Sequence, residues 1–464
     1  MLIWLVRNPV QKSAPGGNNV RHTKCPSSKT LDFRRFRVFR SFGMIAAAFS
    51  AEGGSDCPDR QSDTLRSAEM ARRARPAVEA KGIHGLKYFK QLRPLLARLR
   101  DVGTESDRAG NRRFFFDDYA SLLLLFFFNP TLKSLRALQR ASALDKVQKK
   151  LGSPRVSLGS LSAAARDFDA DALQAIVGEL AHQALPLRTG QHADKDAEFL
   201  RGLTAVDGSL LPALPKMAWA MWFDSTHRAA KLHLHFDVFK AVPCHATITS
   251  GNGNEKKELR AALQPDHLYV IDRGYDEYQL FQDIIDAKSN FIGRICDNAV
   301  CNLVAERPLS KDAKDASVVR DRVVWLGCEI SGHVFKQPLR VVEVATDKTD
   351  SHGRPEIMLL CSDRLDLDAA WIVLGYKYRW TVELFFRWFK CILGCQHLLS
   401  TCQNGVAIQV YLALIASLLI VRWTGNKPNK RTFEMLCLYF QGWASEQELL
   451  AHLQHENAKK SENS

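Results

Sequence analysis

None of the 11 cysteines in this 464-residue chain forms a Cys-x2-Cys pair. That spacing excludes a zinc-ribbon or tight disulfide framework and predicts free thiols in a reducing cytoplasm. Long apolar runs are also scarce. Met1 to Val6 gives six apolar residues before Arg7, and Leu122 to Phe128 gives seven. The first is too short for a signal-peptide core. The second falls far below the roughly 20 residues of a spanning helix and reads as a buried helix. Asn129 and Pro130 would cap and start the next helix there. No internal repeat is visible. The charge is uneven: the formal net is +14, but residues 1–80 hold 14 Lys+Arg against 7 Asp+Glu, half of the excess. The rest of the chain carries only a mild basic bias, compatible with phosphate contacts but not diagnostic of them. With 46% apolar residues the chain buries a sizeable core, and its length predicts two or three domains.

The stretch from Tyr376 to Lys390 carries the most chemistry. An α-helix turns about 100° per residue, so Tyr376, Arg379, Glu383 and Lys390 fall near 0°, 300°, 340° and 320° on a wheel. Val382, Phe385, Phe389 and Ile392 fall on the other side. One carboxylate between cations and a phenol suits a metal ion held beside a phosphate backbone. Two further carboxylates lie upstream. Leu203 to Val206 is an apolar strand delivering Asp207 before a turn at Gly208, and Leu268 to Ile271 delivers Asp272 before Arg273-Gly274-Tyr275. Open α/β sheets place ligand sites at the carboxyl ends of strands. Asp207, Asp272 and Glu383 can converge there on divalent cations, and Mg²⁺ takes few carboxylate oxygens plus water and substrate phosphate.

Asp207, Asp272 and Glu383 resemble the catalytic triad of DDE transposases. The Tyr-x2-Arg-x3-Glu-x6-Lys spacing of Tyr376, Arg379, Glu383 and Lys390 resembles the signature of the insertion sequence 4 family of bacterial transposases. The resemblance implies an α/β fold: an RNase H-like catalytic core interrupted by a β-rich insertion, with a helical N-terminal DNA-binding domain and a helical C-terminal tail. It implies two Mg²⁺ ions on the three carboxylates, with Mn²⁺ as a substitute, clamping the attacking and leaving oxygens of an in-line displacement. It also implies that Tyr376, Arg379 and Lys390 grip double-stranded DNA near a transposon end, and that the protein acts as a dimer when two ends are brought together. The family's base-stacking tryptophan has Trp325 as a candidate, for which a core residue is the stronger reading. A nuclease that cuts without strand transfer, or a DNA-binding relic, would share the fold. The Tyr376/Arg379/Lys390 set favours transposition over the first, and intact carboxylates argue against the second.

The chain divides accordingly. Residues 1–78 read as a disordered leader, compatible with a start placed too far upstream, with Met44 and Met70 as alternatives. Its Arg34-Arg35-Phe36-Arg37 cluster reads as a solvated tail. Residues 79–195 read as the helical DNA-binding domain, with helices over Phe114–Phe128 and Thr131–Gln139 and another starting at Ser160. Lys133, Arg136, Arg140, Lys146, Lys149, Lys150 and Arg155 punctuate it. Residues 196–405 form the core. Strands are expected at Leu232–Phe239, Cys244–Thr249 and Phe291–Ile295, and helices at Glu255–Leu263 and Glu277–Ala287. An all-β insertion occupies 297–365, with strands at Val323–Leu326, Leu339–Val344 and Ile357–Leu360. Asp366 or Asp368 caps the next helix, Gly375 interrupts it, and Gly394 closes the signature helix. Residues 406–455 form C-terminal helices, Ile408–Val421 and an amphipathic Phe433–Leu453, before a disordered 456–464. His233 and His235 share one strand face with Asp237, and Cys391, Cys395 and His397 lie close in sequence. Packing is the stronger reading of both groups, metal binding the weaker. Arg387 lies near the signature face, and Asp224, Asp276 and Glu277 lie near the motifs without being chosen as ligands.

Overall fold

The apolar run before each aspartate becomes an inner strand of one sheet. A computed structural model of the chain describes residues 94–104, 107, 110–187, 196–222, 227–327, 335–349, 353–395 and 397–462. The expected leader, its arginine cluster and Asp224 lie outside these residues. Among them nine strands form a single mixed sheet: β1 Leu203–Pro212, β2 Ala229–Asp237, β3 Val242–Ser250, β4 Leu268–Ile271, β5 Asn290–Arg294, β6 Cys301–Glu306, β7 Val318–Leu326, β8 Leu339–Thr349 and β9 Pro355–Ser362. Their order is β3-β2-β1-β4-β5-β9-β8-β7-β6. β1, β4 and β5 are parallel, and every other pairing is antiparallel.

Central β4 is buried along its whole length, as a strand covered on both faces must be. Leu268 and Val270 join the larger core, whereas Tyr269 and Ile271 join the smaller one on the opposite face. The smaller core is closed by α6 Glu255–Ala261 and α7 Tyr278–Asp286, through Leu259, Leu280, Phe281 and Ile284. The larger core takes in the N-terminal helices: α1 Phe116–Phe127, α2 Leu135–Ser142, α3 Asp145–Leu151, α4 Leu158–Asp167 and α5 Asp171–Gln183. It also takes in the signature helices, α9 Ala369–Tyr378 and α10 Trp380–Cys391, and the C-terminal α11 Gln403–Thr424, α12 Lys430–Gln441 and α13 Glu446–Glu462. Helix α11 is long and apolar enough to cross a membrane, but 94% of its apolar window is buried against this chain's own elements. It is the axis on which α1, α4, α5 and β3 pack.

The region expected as an insertion does not stand apart. β9 pairs with β5 and extends the sheet outwards through β8, β7 and β6. Nor is it all β, since α8 Lys311–Asp315 is capped by Ser310 within it. Its inner end is fastened by Arg340, 1% exposed, whose guanidinium grips Asp321 through two hydrogen bonds of 2.8 and 2.6 Å. Trp325 is half-buried against the smaller core.

Several boundaries differ for local reasons. Asn129 accepts from Thr131 in a turn, and Ser134 caps α2 instead, so that helix starts at Leu135. Ser157 caps α4. Asp368 caps α9, while Asp366 pairs with Arg364. Gly375 does not interrupt α9. It is buried where the helix crosses β5, and a Cβ there would lie 2.6 Å from Ile292 Cδ1. The C-terminal amphipathic stretch is two helices, because Gly442 takes φ +85° and ends α12. Helix α13 runs to Glu462, past the expected 455. Helix α10 ends at Cys391 with Ile392 as its cap, so left-handed Gly394, at φ +80°, follows one residue beyond the C′ position expected for it.

Candidate active site

The parallel register brings the two aspartates together. Ala205 and Val270 are the last paired residues of β1 and β4, and Asp207 and Asp272 each follow two residues later on these neighbouring segments. β1 does not turn at Gly208 as expected from the sequence. It continues to Pro212 because β2 stays paired with it throughout, Asp207 opposite Leu234 and Pro212 opposite Ala229. Only β4 stops, at Ile271. The notch it leaves beside β1 is where the acidic side chains collect. Asp207 accepts from the N–H of Gly208 at 2.8 Å. Asp272 caps a 3₁₀ turn over Arg273–Tyr275, accepting from the N–H of Arg273 at 2.7 Å.

Glu383 comes from the side of the sheet that carries the larger core, in the first turn of α10. Val382, Phe385, Phe386, Trp388 and Phe389 bury the other side of that helix. The signature residues do not share one uninterrupted helix. The chain tightens at Arg379, whose N–H bonds back to the Tyr376 carbonyl at 3.1 Å, so α9 ends and α10 begins there. The step leaves Arg379 between the acids. Its Nη2 donates to Glu383 Oε1 at 2.8 Å, and its Nη1 stands 4.0 Å from Asp272 Oδ2. The Tyr376 hydroxyl donates to the other oxygen of Asp272 at 3.1 Å, and the guanidinium lies 5.8 Å from the Tyr376 ring centroid.

Electrostatics tie the group together. Burial pushes the Asp207 carboxyl up to about 6, against the Gly208 N–H and Arg379, with Glu383 and Glu255 adding repulsion. Burial also raises Glu383; Arg379 counters it and Asp272 adds to it. Burial, helped by Asp272, pushes the Tyr376 hydroxyl up to about 12, so it remains a donor. Lys390 is half-buried, its ammonium pushed down by burial and held up by Cys391 and Asp207. All six signature and triad side chains therefore lie in one electrostatically linked neighbourhood. Arg379 Nε is buried without a hydrogen-bond partner among the described residues.

Among the described residues, no group of three or more His, Cys, Asp or Glu side chains is arranged to hold a metal ion as it stands. The donor chemistry nevertheless fits a hard divalent cation: crowded carboxylates, two with raised proton affinity, currently share the Arg379 guanidinium.

The other candidates separate from this site. His233 and His235 are buried in packing: His233 Nε2 lies 2.8 Å from Thr249 Oγ1, and His235 packs on the rings of His245 and Tyr269. Asp237 pairs with Lys240. Cys395 is buried, whereas Cys391 is exposed rather than packed. Glu277 pairs with Arg260 and Lys256, and Asp276 accepts from the N–H of Cys296. Arg387 is exposed, within electrostatic range of Glu383. Lys133, Arg136, Arg140, Lys146, Lys149, Lys150 and Arg155 are all exposed. Two residues were missed in the sequence. Arg294, at the end of β5, stands in electrostatic range of Tyr376, and Glu255, first residue of α6, stands in range of Asp207. Neither belongs to a motif, and only the sheet order brings them here.

Residues 198–419 match the family model described as the transposase DDE domain. A Sinorhizobium fredii protein named as a transposase is 29% identical over 220 residues, covering 47% of this chain and 60% of that protein. A Geobacillus stearothermophilus protein, named as a transposase of an insertion sequence element, is 23% identical over 286 residues, covering 61% of this chain and 71% of that protein. Among solved structures, a cryo-EM structure of the piggyBac transposase synaptic complex with hairpin DNA is similar at a TM-score of 0.40. Its identity is 12%, covering 82% of this chain and 80% of that one. The stretch of this chain that carries Asp207, Asp272 and Glu383 is thus the stretch that matches the transposase DDE domain family.

Proposed function

We propose that this protein is the transposase of an insertion sequence, binding the element's terminal inverted repeats and cutting and transferring its DNA strands. The observation that carries the reading is that Arg379 bonds Glu383 and faces Asp272 where β4 ends, with Asp207 in electrostatic range of both Arg379 and Glu383. The order β3-β2-β1-β4-β5, with β2 antiparallel to its neighbours and β1, β4 and β5 parallel, supports an RNase H-like core. The match of residues 198–419 supports the activity class, and the Tyr376/Arg379/Glu383/Lys390 spacing supports the narrower insertion sequence 4 assignment.

Asp207, Asp272 and Glu383 would hold Mg²⁺, which supplies charge stabilisation for in-line phosphoryl transfer and activates the attacking hydroxyl. The chain's own residues do the rest. Arg379 offsets the repulsion between Asp272 and Glu383 and keeps both carboxylates turned inwards. Tyr376 fixes one oxygen of Asp272. Arg379 and Lys390 present cations beside the carboxylates, suited to steadying a DNA phosphate next to the reacting bond. The exposed basic residues of α2 and α3, with Lys133 and Arg155, extend positive charge over the N-terminal helices for backbone contacts. Joining two ends calls for a dimer on DNA.

The test is cleavage of a duplex carrying the DNA that flanks the gene, with Mg²⁺, by wild type and by Asp272→Asn. Nicks at the element boundary made only by the wild type, with hairpin or strand-transfer products, support transposition. Boundary-independent cutting would point instead to a nuclease, and binding with no cutting by either protein would overturn the catalytic reading.

A further inference from the structure

The strand that carries Asp207 runs on past the notch to Pro212, and the loop joining it to β2 holds apolar side chains out in solvent. Leu214 is 49% exposed, Met221 55% and Trp222 42%. Apolar groups free to move would bury one another, a gain of about 25 cal/mol per Å². Here the backbone is pinned instead. Met221 bridges to Arg228 in a short antiparallel pairing. The N–H groups of Ala213 and Ala229 donate to the carbonyls of Arg228 and Ala220 at 3.1 and 3.0 Å, and the Asn252 N–H donates to the Met221 carbonyl at 3.0 Å. The indole N–H of Trp219 donates to the Thr401 carbonyl at 2.8 Å, tying the loop to the turn before α11. Gly251 leaves room for the root of Trp222, since a Cβ there would stand 2.7 Å from Trp222 Cβ and 2.9 Å from its Cγ.

Exposed apolar side chains on a braced backbone mark a contact surface, and the charge around them indicates the partner. Residues 208–236 hold Lys216, Arg228 and Lys231 against Asp224 alone. Lys216 is exposed, and so is Lys257 just beyond the turn that Trp222 rests on. Arg228 gives one N–H to the Ala218 carbonyl at 3.3 Å, and its Nε is buried without a partner among the described residues. Lysines are depleted where protein meets protein, whereas apolar side chains between cations suit a nucleic acid. Position agrees. Pro212 lies five residues past Asp207 on one continuous strand, about 17 Å at about 3.4 Å per residue, which is the rise of about five base pairs. On the transposase reading above, we propose that this loop is a wedge for the substrate duplex. Met221 and Trp222 enter between base pairs about five steps from the cut, and Lys216 and Arg228 meet the phosphates beside them. The cost of unstacking that step is offset by a bent duplex lying against more of the protein.

The experiment places the fluorescent base 2-aminopurine at successive positions on both sides of the element boundary in a duplex carrying the gene's flanking DNA. The full chain is bound as Asp272→Asn, so that nothing is cut, with and without Trp222→Ala or Trp222→Phe, and thermal melts show that each is folded. Fluorescence should rise at one or two neighbouring positions about five base pairs from the boundary, stay with Trp222→Phe and vanish with Trp222→Ala. With Asp272 intact, Trp222→Ala should slow cutting on the order of 10- to 100-fold, and a mismatch at the responsive step should restore most of the rate. No responsive position, a response that survives Trp222→Ala, or equal slowing on paired and mismatched duplexes would overturn the wedge and leave the carboxylate site standing. Self-association in sedimentation that Trp222→Ala abolishes, with the fluorescence unchanged, would make the patch a surface for a second copy and also overturn it. Failure of the Asp272→Asn protein to bind the boundary duplex would remove the transposase reading itself, and the wedge with it.

Discussion

Asp207→Asn should make the metal-free protein more stable at neutral pH, because the native site holds a carboxylate that burial disfavours. The amide preserves the shape of the side chain and the oxygen that accepts from Gly208 at 2.8 Å. The carboxyl is pushed from its ordinary 3.8 up to about 6, chiefly by burial. A raised acid binds its proton more tightly in the folded state, so its contribution favours folding in acid and is lost as pH climbs from about 4 through about 6. That gap, at about 1.4 kcal/mol per pH unit, is about 3 kcal/mol of cost above pH 7. Melting of both proteins in chelator, from pH 4.5 to 8, reads it directly. The Asn protein should melt a few degrees higher at pH 7.5, with the advantage shrinking towards pH 4.5. A lower melting point for Asn at pH 7.5, or a pH-independent difference, would refute the argument that desolvation sets this carboxyl. Added Mg²⁺ should narrow the gap by stabilising the wild type alone if the acids hold it.

Other outcomes follow from single contacts. Gly375→Ala should destabilise the fold by about 1–3 kcal/mol, because the new methyl group meets Ile292 at 2.6 Å; denaturant melts measure it, and Ile292→Val should recover part of the loss. Arg340→Met should cost about 3–5 kcal/mol, since it removes both hydrogen bonds to the buried Asp321 carboxylate and leaves it Arg307 at 3.8 Å, while a double replacement with Asp321→Leu should cost far less. Acid should weaken the sheet through its histidines: burial lowers His233 to about 4 and His235 well below its usual value. A base with a depressed pKa costs nothing above the ordinary 6.5 and loses stability as pH falls from there towards 4. His233→Gln should therefore flatten the acid limb of a pH–melting curve.

The legible part of the sequence was the part written in period and in punctuation. Val382, Phe385 and Phe389 announce the buried side of α10, and the runs before Asp207 and Asp272 announce inner strands. What escaped depends on partners remote in sequence. Gly208 reads as a turn, but β2 keeps β1 extended to Pro212, and the glycine serves the approach of Glu255. Gly375 reads as a helix break, but its missing side chain makes room for Ile292. The step at Arg379 has no proline or glycine to mark it and places the guanidinium between Asp272 and Glu383. Strand β6 shows no alternation because it lies at the sheet edge, with Leu303 and Val304 exposed. Nothing local tells β9 to pair with β5 and make the insertion part of the main sheet.

The central claim is that Asp207, Asp272 and Glu383 form one phosphoryl-transfer site acting on DNA ends. Its most direct test is Mg²⁺-dependent cleavage of a duplex bearing the gene's own flanking ends, comparing wild type with Glu383→Gln at matched DNA occupancy. Glu383→Gln keeps a side-chain oxygen for Arg379 but removes the charge. Boundary nicks made by the wild type and lost in Glu383→Gln, with DNA binding retained, are the predicted result. Equal cleavage by both proteins would contradict the account and place the chemistry elsewhere in the chain.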